Sequence, residues 1–464
     1  GVSKLHGQVS RHIFQPLFPR WPETEVPIGS VTNGIHVPTW DSVAADALWT
    51  TACGTKRWRG DRAVEDDIRR LSDVQLWEMR SAGRKTLVDR IRKRYAHQLA
   101  SEGRPPSDAG AVFDEKTLTL GFARRFATYK RPNLLLHDPD RLIRLLSNPL
   151  RPAQLVLAGK AHPQDLPGQA LIQQWNDFIR RPEVHDRVVF LSDYDMLLTQ
   201  ELVQGVDLWI NTPRRPWEAC GTSGMKALVN GGLNLSELDG WWAEAYSPEV
   251  GWAIGDGKEH GEDPAWDATE ADSLYSLLER GVIPEFYERN ESGLPTKWLG
   301  RIRESMALLT PEFSASRAIR EYTEDHYLPA ASGYRERGGG ENMVGNSVIQ
   351  WQKRIAQHWS SVHFGSVSVR THDGHHFSRV EVFPGNLAPN ELTVELYAEP
   401  DEKSVSAVIE VMTACTTCAD TKGILVYLAE TSRSRLASDY TPRIIPHHPK
   451  ASVPLEAPQV LWQR

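Results

Sequence analysis

Between residues 116 and 211 short apolar runs alternate with amphipathic stretches, and this alternation constrains the fold more than any other feature of the sequence. Strands recurring at intervals of roughly 30 residues, with a helix between them, are typical of βαβ units and a parallel sheet. The sequence therefore predicts an α/β fold whose chemistry lies in loops after the strands. The predicted strands are LTLGFA (118–123), QLVLAG (154–159), RVVFLS (187–192) and DLWIN (207–211), and the predicted helices are 133–148, 168–181 and 195–204.

The segments on either side of this region follow other patterns. One long amphipathic helix is predicted from about Val74 to Leu99. Helices are predicted again over 270–330, with Ser314 as an N-cap, and near 345–358. From Val362 the apolar period becomes two, which favours five short strands in a small β domain. Four parts are predicted: 1–110 with the long helix, 111–360 with the parallel sheet and the helices after it, 361–430 as the β domain, and 431–464 as an irregular tail.

Composition narrows the functional classes. Of 464 residues, 40% are hydrophobic and 24% charged, as in soluble globular proteins. The net charge of −7, from 53 Lys and Arg against 60 Asp and Glu, argues against a generic nucleic-acid binder. No apolar run is long enough to span a membrane. Four cysteines give no disulfide framework and fit a reducing compartment, so a cytoplasmic location is expected. No signal peptide is evident, and Gly1 indicates a processed end or a cut inside a longer protein.

The loop after the first predicted strand, GFARRFATYKRP (121–132), is rich in cations. Arg124, Arg125, Lys130 and Arg131 lie within eight residues of one another. A helix N-terminus is expected after the loop, and its free N–H groups favour an anion such as phosphate. Arginine offers a bidentate fork and lysine a point charge. The alternative is a solvated basic loop, because runs of charge are usually surface features.

The loop after the fourth predicted strand is the most informative stretch. Glu218 is followed by Gly221-Thr222-Ser223-Gly224 and then by a helix that contains Lys226. Small residues let the backbone approach a ligand closely, and hydroxyls with helix N–H groups suit a phosphate. A partly desolvated lysine beside cations has a lowered pKa, which is the condition for Schiff-base chemistry. Loop and lysine together suggest pyridoxal phosphate, although most glycine-rich turns that carry a lysine are structural.

The stretch EACGTSGMKALVN resembles the pyridoxal-phosphate attachment motif of the α-glucan (glycogen, starch and maltodextrin) phosphorylases, with Val229 where that family has Leu or Met. NGGLNLSELDGWWAEAY, GFARRFATYKRP, AGKAHP, TNGIHVPTW and LTPEFSASRAIREY extend the resemblance over most of the chain. The DGWW and GWAIGDG variants and the β domain resemble the short bacterial and archaeal branch. The resemblance implies a GT-B-type Rossmann-like lobe, with helices on both faces of its sheet. The chain then corresponds to the C-terminal half of a two-lobed transferase. An N-terminal lobe and a catalytic histidine would lie outside these residues.

The resemblance also implies the site residues. Lys226 would carry pyridoxal 5′-phosphate, and its phosphate would be held by Thr222, Ser223 and Arg124, with Tyr194 near it. Arg125 and Lys130 would bind the substrate phosphate, and Glu218, Cys220 and Gly221 would contact the glucosyl hydroxyls. The catalytic set would be Lys130, Arg125 and Glu218. Asp195 and Ala127 depart from the animal enzymes, which carry Arg and His at those positions.

The implied activity is phosphorolysis of α-1,4-glucans by inorganic phosphate to α-D-glucose 1-phosphate, with the cofactor's phosphate as a proton relay. One alternative is a nucleotide-sugar glycosyltransferase of the glycogen synthase type. Many of these enzymes carry a second glutamate eight residues after the first, where this chain has Lys226. Another alternative is a truncated lobe that only binds glucan. No nucleic acid, membrane or metal is expected as a partner, since the lone Cys415–Cys418 pair lacks a second pair. A homo-oligomer is compatible with the sequence.

Overall fold

The computed structural model of the chain describes residues 1–58, 64–401, 406–415 and 423–463. The chain divides into two compact units: unit 1 is Gly1–Val9 with Gly29–Tyr322, and unit 2 is Ser10–Ile28 with Thr323–Arg464. None of the helices in the described ranges combines the length and the apolar character that crossing a bilayer requires. The domain boundaries drawn from the sequence remain predictions.

Unit 1 is built on a six-stranded sheet whose neighbouring strands are all parallel. Its strands are β1 (Leu118–Ala123), β2 (Ala153–Ala158), β3 (Val188–Leu191), β4 (Leu208–Asn211), β5 (Leu233–Glu237) and β6 (Gly251–Ile254). The spatial order is β3-β2-β1-β4-β5-β6, so the direction of winding reverses between β1 and β4. In doubly wound sheets ligands bind at this reversal, beyond the carboxyl ends of the strands.

The apolar strands are covered on both faces. Every residue of β1 and β2 is buried. Along β2, Leu155 and Leu157 belong to one hydrophobic cluster, whereas Val156 and Ala158 belong to another. Because successive strand residues point to opposite faces, each face of the sheet has its own core. This arrangement confirms the predicted α/β lobe with helices on both faces.

The helices follow in chain order, with short 3₁₀ and π turns between some of them. They are α1 (Lys4–Phe14), α2 (Val37–Trp40), α3 (Val43–Cys53), α4 (Glu65–Arg69), α5 (Asp73–Ser101), α6 (Pro139–Leu146), α7 (Leu166–Ile179), α8 (Met196–Gly205), α9 (Ser223–Leu228), α10 (Trp242–Ala245), α11 (Pro264–Leu277), α12 (Ile283–Tyr287), α13 (Thr296–Glu304), α14 (Thr310–Glu312), α15 (Ala315–Glu321), α16 (Leu328–Gly338) and α17 (Met343–His358).

The long helix α5 begins at a capping box, in which the Ser72 hydroxyl accepts from the Gln75 N–H. It buries two arginines against the carboxylate that precedes β4. Arg84 and Arg80 lie 2.5 Å and 3.3 Å from Asp207 Oδ1. Buried charges need such partners, because unpaired burial is costly. The extent of α5, Asp73–Ser101, confirms the predicted helix from Val74 to Leu99.

The sequence prediction is wrong in two places in unit 1. Residues 133–148 do not form one helix, because Pro139 opens α6 and Asp138 caps it, accepting from the Arg141 N–H at 2.9 Å. The preceding residues form only a 3₁₀ turn, Leu134–Leu136. Strands β5 and β6 were not predicted, because each is short and carries polar or glycine residues.

The described residues of unit 2 form two four-stranded sheets, with orders β10-β9-β13-β14 and β11-β12-β8-β7, and every pairing between these strands is antiparallel. Trp351 of α17 is buried with Val380, Val394 and Ile444 in the core of this unit. The strands are β7 (His363–His372), β8 (His375–Phe383), β9 (Leu392–Ala398), β10 (Val408–Val411), β11 (Thr413–Ala414), β12 (Leu425–Ser432), β13 (Thr441–Pro446) and β14 (Leu461–Trp462).

The stretch 431–464 is not wholly irregular, which corrects the expectation for the tail. Strand β13 pairs with β9 over six residues, and β14 pairs with β13. The sequence did not predict β13, because this strand contains Pro442 and Pro446 and proline usually argues against a strand. Arg443 between them is buried and ion-paired with Glu395 and Glu25 at 2.7 Å each.

Candidate active site at the carboxyl ends of β1 and β4

The two loops singled out in the sequence meet at the reversal point of the parallel sheet. Residues 124–131 follow β1, and residues 212–222 follow β4, its neighbour in the sheet. The helix expected directly after the first loop begins only at Pro139, as α6, so its N-terminus does not follow the loop at once. Within the loop the chain forms a 3₁₀ turn, Thr128–Lys130, and turns sharply at Arg131. The loop presents side-chain cations rather than the N–H groups of a helix.

Glu218 lies at the centre of the site. Its Oε2 accepts from Arg124 Nη2 at 2.5 Å and from Lys130 Nζ at 2.8 Å. Burial raises the pKa of this carboxyl, but the two cations outweigh burial and hold the pKa below its ordinary value. The backbone N–H of Glu218 donates to Asp239 Oδ2 at 2.9 Å, so the loop after β5 supports the glutamate from behind. Burial raises the pKa of Asp239 to about 6.

The cations of the first loop divide into buried and exposed members. Arg124 and Lys130 are only 6% and 7% exposed, whereas Arg125 is exposed and forms no ion pair with the described residues. The backbone of Arg124 approaches Gly159 so closely that a Cβ there would lie 2.1 Å from the Arg124 carbonyl oxygen. The structure therefore brings Arg124 and Lys130 to Glu218, and it leaves Arg125 at the rim.

Arg124 retains a hydrogen-bonding group that is not used. Its Nη1 is buried and finds no hydrogen-bond partner among the described residues. A buried N–H without an acceptor costs about 1–3 kcal/mol, so such groups in native proteins usually await a ligand or water. A buried cation with a free donor is suited to an anion.

Lys226 lies within α9 and is half-buried. Its Nζ is 3.9 Å from the centroid of the Trp40 ring, and it forms no ion pair with the described residues. Burial lowers the pKa of its amine. Asn230 joins the two elements, because its Nδ2 donates to the carbonyls of both Trp40 and Lys226, at 3.0 and 3.1 Å. Burial therefore shifts the Lys226 amine towards its neutral, nucleophilic form relative to a lysine in water, and Asn230 holds the backbone that carries it.

The small residues between Glu218 and Lys226 pack tightly. Gly221 has a φ of +84°, which favours glycine. A Cβ at Gly224 would lie 2.3 Å from Asn234 Oδ1. Thr222 precedes α9 and makes no capping hydrogen bond. Ser223 Oγ is engaged by the protein, accepting from Trp209 Nε1 at 3.1 Å and lying 3.4 Å from Asn211 Oδ1.

The remaining predicted residues lie close to these loops. The Tyr194 hydroxyl donates to the carbonyl of Ala123, at the end of β1, at 3.3 Å. Cys220 is a free thiol, and burial raises its pKa to about 12, so it does not act as a thiolate at neutral pH. The carbonyl of Cys220 accepts from the Trp241 N–H at 2.9 Å. Cys418, the second member of the CxxC pair, lies outside the described residues.

Trp40 and Asp239 contribute to the site, although the sequence did not single them out individually. Each lies in a stretch noted only as a whole, TNGIHVPTW and NLSELDGWW. Trp40 lies 186 positions before Lys226, and Asp239 lies 21 positions after Glu218, on the far side of β5. An aromatic residue or a carboxylate gives no local signal of such a contact. Asn230, in contrast, closes the motif that contains Lys226, and that spacing alone could have suggested its role.

The arrangement combines two chemical capacities. The Glu218 carboxylate pairs with Arg124 and Lys130, and an entering phosphate could bind the same two cations. The half-buried Lys226 amine, eight residues further along the same loop and helix, can react with an aldehyde. The site therefore fits a phosphate-bearing aldehyde and a second anion.

Comparisons with known proteins identify the family to which the chain is similar. Residues 1–251 match the sequence profile of the phosphorylase family, described as carbohydrate phosphorylase. The chain is 42% identical over 370 residues to a glycogen phosphorylase of Mycobacterium tuberculosis, covering 79% of this chain and 43% of the relative. It is 40% identical over 331 residues to a glycogen phosphorylase of Aquifex aeolicus, covering 70% and 47%. It is 34% identical over 401 residues to a maltodextrin phosphorylase of Thermococcus litoralis, covering 85% and 47%. The chain thus spans less than half the length of these relatives.

Proposed function

We propose, because the chain belongs to the carbohydrate phosphorylase family, that it forms the cofactor- and phosphate-binding part of an α-1,4-glucan phosphorylase. The reaction is the attack of inorganic phosphate on a terminal glucosyl residue, which releases α-D-glucose 1-phosphate. The glycogen and maltodextrin phosphorylases among its relatives support this choice of substrate. Since the chain spans less than half of those relatives, the complete activity is proposed for this chain together with the part that it does not match.

The observation that carries the proposal is the Lys226 amine, half-buried, without an ion-pair partner among the described residues and with a lowered pKa. A neutral amine is what covalent attachment of pyridoxal 5′-phosphate requires. The free Nη1 of Arg124 and the uncapped hydroxyl of Thr222 fit the phosphate of that cofactor. Ser223 fits less directly, because its hydroxyl already bonds Trp209 and lies near Asn211. When bound, the cofactor supplies a phosphate group that can exchange a proton with the substrate phosphate.

The chain's own residues then bind and orient the substrates. Lys130 and Arg125 hold inorganic phosphate and neutralise its charge. The bound phosphate donates a proton to the glycosidic oxygen, the C1–O bond breaks, and a phosphate oxygen bonds to C1 with retained configuration. Glu218, with its low pKa, stays ionised and accepts hydrogen bonds from glucosyl hydroxyls. The loop of Cys220 and Gly221 contributes backbone groups to the same hydroxyls.

Cofactor attachment is tested on the chain as it stands. The protein is incubated with pyridoxal 5′-phosphate, reduced with borohydride and digested, and the labelled peptide is identified. The label is expected on the peptide that contains Met225-Lys226. Lys226→Arg should abolish it, whereas Lys160→Arg, in the loop after β2, should retain it. A label that survives Lys226→Arg would contradict the assignment.

A further inference from the structure

Arg131, which directly follows Lys130, makes many polar contacts although it lies in a loop. It is buried, and its backbone lies in the left-handed region, with φ +42° and ψ +53°. A non-glycine residue adopts this conformation only where the surroundings impose it. The guanidinium group of this residue makes a large set of contacts.

The guanidinium of Arg131 reaches two different parts of unit 1. Towards the loop after β4, its Nε donates to the Thr212 carbonyl at 3.0 Å and its Nη2 to the Pro213 carbonyl at 2.8 Å. Towards β5 and α11, it contacts three carboxylates: Glu237 at 3.2 Å, Asp267 at 2.9 Å, and Glu270. One side chain thus joins the loops after β1 and β4 to a strand and a helix.

The backbone around Arg131 repeats the same connection. The Thr212 hydroxyl lies 3.2 Å from the Lys130 carbonyl and 3.0 Å from the Arg131 carbonyl. The Arg214 N–H donates to the Tyr129 carbonyl at 2.6 Å. The turn that carries Lys130 is therefore fastened to the stretch that leads to Glu218.

The charges in this cluster balance when Glu237 is protonated. Arg131 and Arg214 face Asp267 and Glu270, and Arg214 lies 2.8 Å from Asp267. Burial and then the neighbouring Glu270 raise the pKa of Glu237 well above its usual range, so this carboxyl keeps its proton at neutral pH. The charges within this cluster therefore compensate one another, with Arg131, Glu237 and Glu270 buried and Arg214 and Asp267 partly exposed, and the cluster serves as an anchor rather than an anion-binding site.

We propose that Arg131 is a positioning residue, which sets the place of Lys130 relative to Glu218 and so the affinity of the site for inorganic phosphate. This inference rests on the proposed function, because it assumes that Lys130 binds phosphate. Lysine cannot replace Arg131, since its single nitrogen cannot contact two carbonyls and three carboxylates from one plane.

Arg141 provides a matched control. It is also an arginine that anchors to α11, with Asp272 at 2.6 Å and Glu279, just beyond that helix, at 2.7 Å. It lies on α6 and touches neither loop of the site. In active enzyme, Arg131→Met should raise the KM for phosphate roughly tenfold or more, because the site loses the equivalent of at least one charged contact. Arg141→Met should leave the KM for phosphate unchanged. In a Lys130→Met background, Arg131→Met should add little, because Arg131 acts through Lys130.

A second readout does not depend on activity. In a crystal structure of the Arg131→Met chain, Lys130 Nζ should have left Glu218 Oε2, which it contacts at 2.8 Å, and in Arg141→Met this contact should persist. If Arg131→Met does not fold, Arg131→Lys serves, with the same movement of Lys130 and a phosphate KM above that of Arg141→Met. Equal phosphate KM values for the Arg131 and Arg141 variants, or an unmoved Lys130, overturn the inference. Absence of glucose 1-phosphate from the unsubstituted enzyme instead overturns the proposed function.

Discussion

Lys226 and Trp40 lie in contact, with the lysine Nζ 3.9 Å from the centroid of the indole ring, although 186 positions separate them in the sequence. The ring shields the amine from water, and burial lowers its pKa. A cation over an aromatic ring is attracted to it, which opposes this shift, whereas burial moves the amine towards its neutral form relative to a lysine in water.

Competitive labelling of the chain without cofactor checks this account of Lys226. We expect the amine of Lys226 to titrate below the ordinary lysine pKa of about 10.4. Acylation by a trace reagent, followed across pH and quantified by peptide, gives the midpoint for each lysine. The exposed Lys85 serves as the reference in the same sample. A midpoint for Lys226 at or above the ordinary value would contradict the role of burial.

Glu218→Gln tests whether the glutamate shares its cations with an anion. Removing the carboxylate leaves Arg124 and Lys130, both buried, without their ion pair, and we expect a loss of stability of about 1–3 kcal/mol. Added inorganic phosphate should restore much of it by binding the same cations. Thermal unfolding with and without phosphate measures both effects. Glu279→Gln, which removes one of the two carboxylate partners of Arg141, should not be rescued by phosphate, and equal behaviour of the two variants would exclude a phosphate site here.

The low pKa of Glu218 gives this ion pair a defined pH dependence. A carboxyl with a lowered folded-state pKa contributes stability above its unfolded pKa, and the contribution disappears as pH falls through the folded value. The stability difference between the protein and Glu218→Gln should therefore shrink on acidification below about pH 4. Denaturant unfolding across the acid range measures it.

Lys130→Met and Arg125→Met test the two predicted phosphate ligands, of which Lys130 is buried and Arg125 is exposed. Each should weaken phosphate binding roughly tenfold to a hundredfold, as expected for the loss of one charge-assisted contact. Both variants should retain cofactor on Lys226, which the borohydride label reports. Because Arg125 is exposed and outside the Glu218 cluster, an unchanged phosphate KM for Arg125→Met would identify it as a surface cation.

Glu237→Gln should change how stability depends on pH. Because the folded protein keeps a proton on Glu237 that the unfolded chain releases, this group makes stability fall as pH rises above the unfolded pKa. The slope from one such proton reaches about 1.4 kcal/mol per pH unit. Glutamine cannot release the proton, so the variant should show a flatter profile between about pH 5 and pH 9. Glu285, which pairs with Arg301, provides the control variant Glu285→Gln. If Glu237→Gln leaves the pH profile of stability unchanged, Glu237 is ionised in the folded protein.

The parallel sheet was largely predictable, because β1 to β4 are apolar runs at regular intervals and periodicity reports burial directly. β5 and β6 were not, since LNLSE and GWAI are short and owe their strand conformation to pairing with neighbours. Pro139 was visible in the sequence, but its effect on the predicted helix 133–148 was underestimated.

The site was predictable where its residues share a loop and not where they meet only in the fold. Glu218 and Lys226 lie eight residues apart, and one stretch of sequence indicates both. The contacts of Trp40 with Lys226 and of Asp239 with Glu218 arise from tertiary packing, which no local pattern encodes. The anchoring of Arg131 belongs to the same class, because its carboxylate partners lie more than 100 positions away.

The most direct measurement is phosphate-dependent release of α-D-glucose 1-phosphate from maltodextrin. The protein to assay is this chain joined to the part of the Mycobacterium tuberculosis glycogen phosphorylase that it does not match, once cofactor loading and cooperative unfolding show that it is folded. The chain alone should release little product. The joined protein should form glucose 1-phosphate only with inorganic phosphate present, and its Lys226→Arg variant should form none. Cofactor bound at Lys226 without any glucose 1-phosphate, or equal product from Lys226→Arg, would contradict the proposed function.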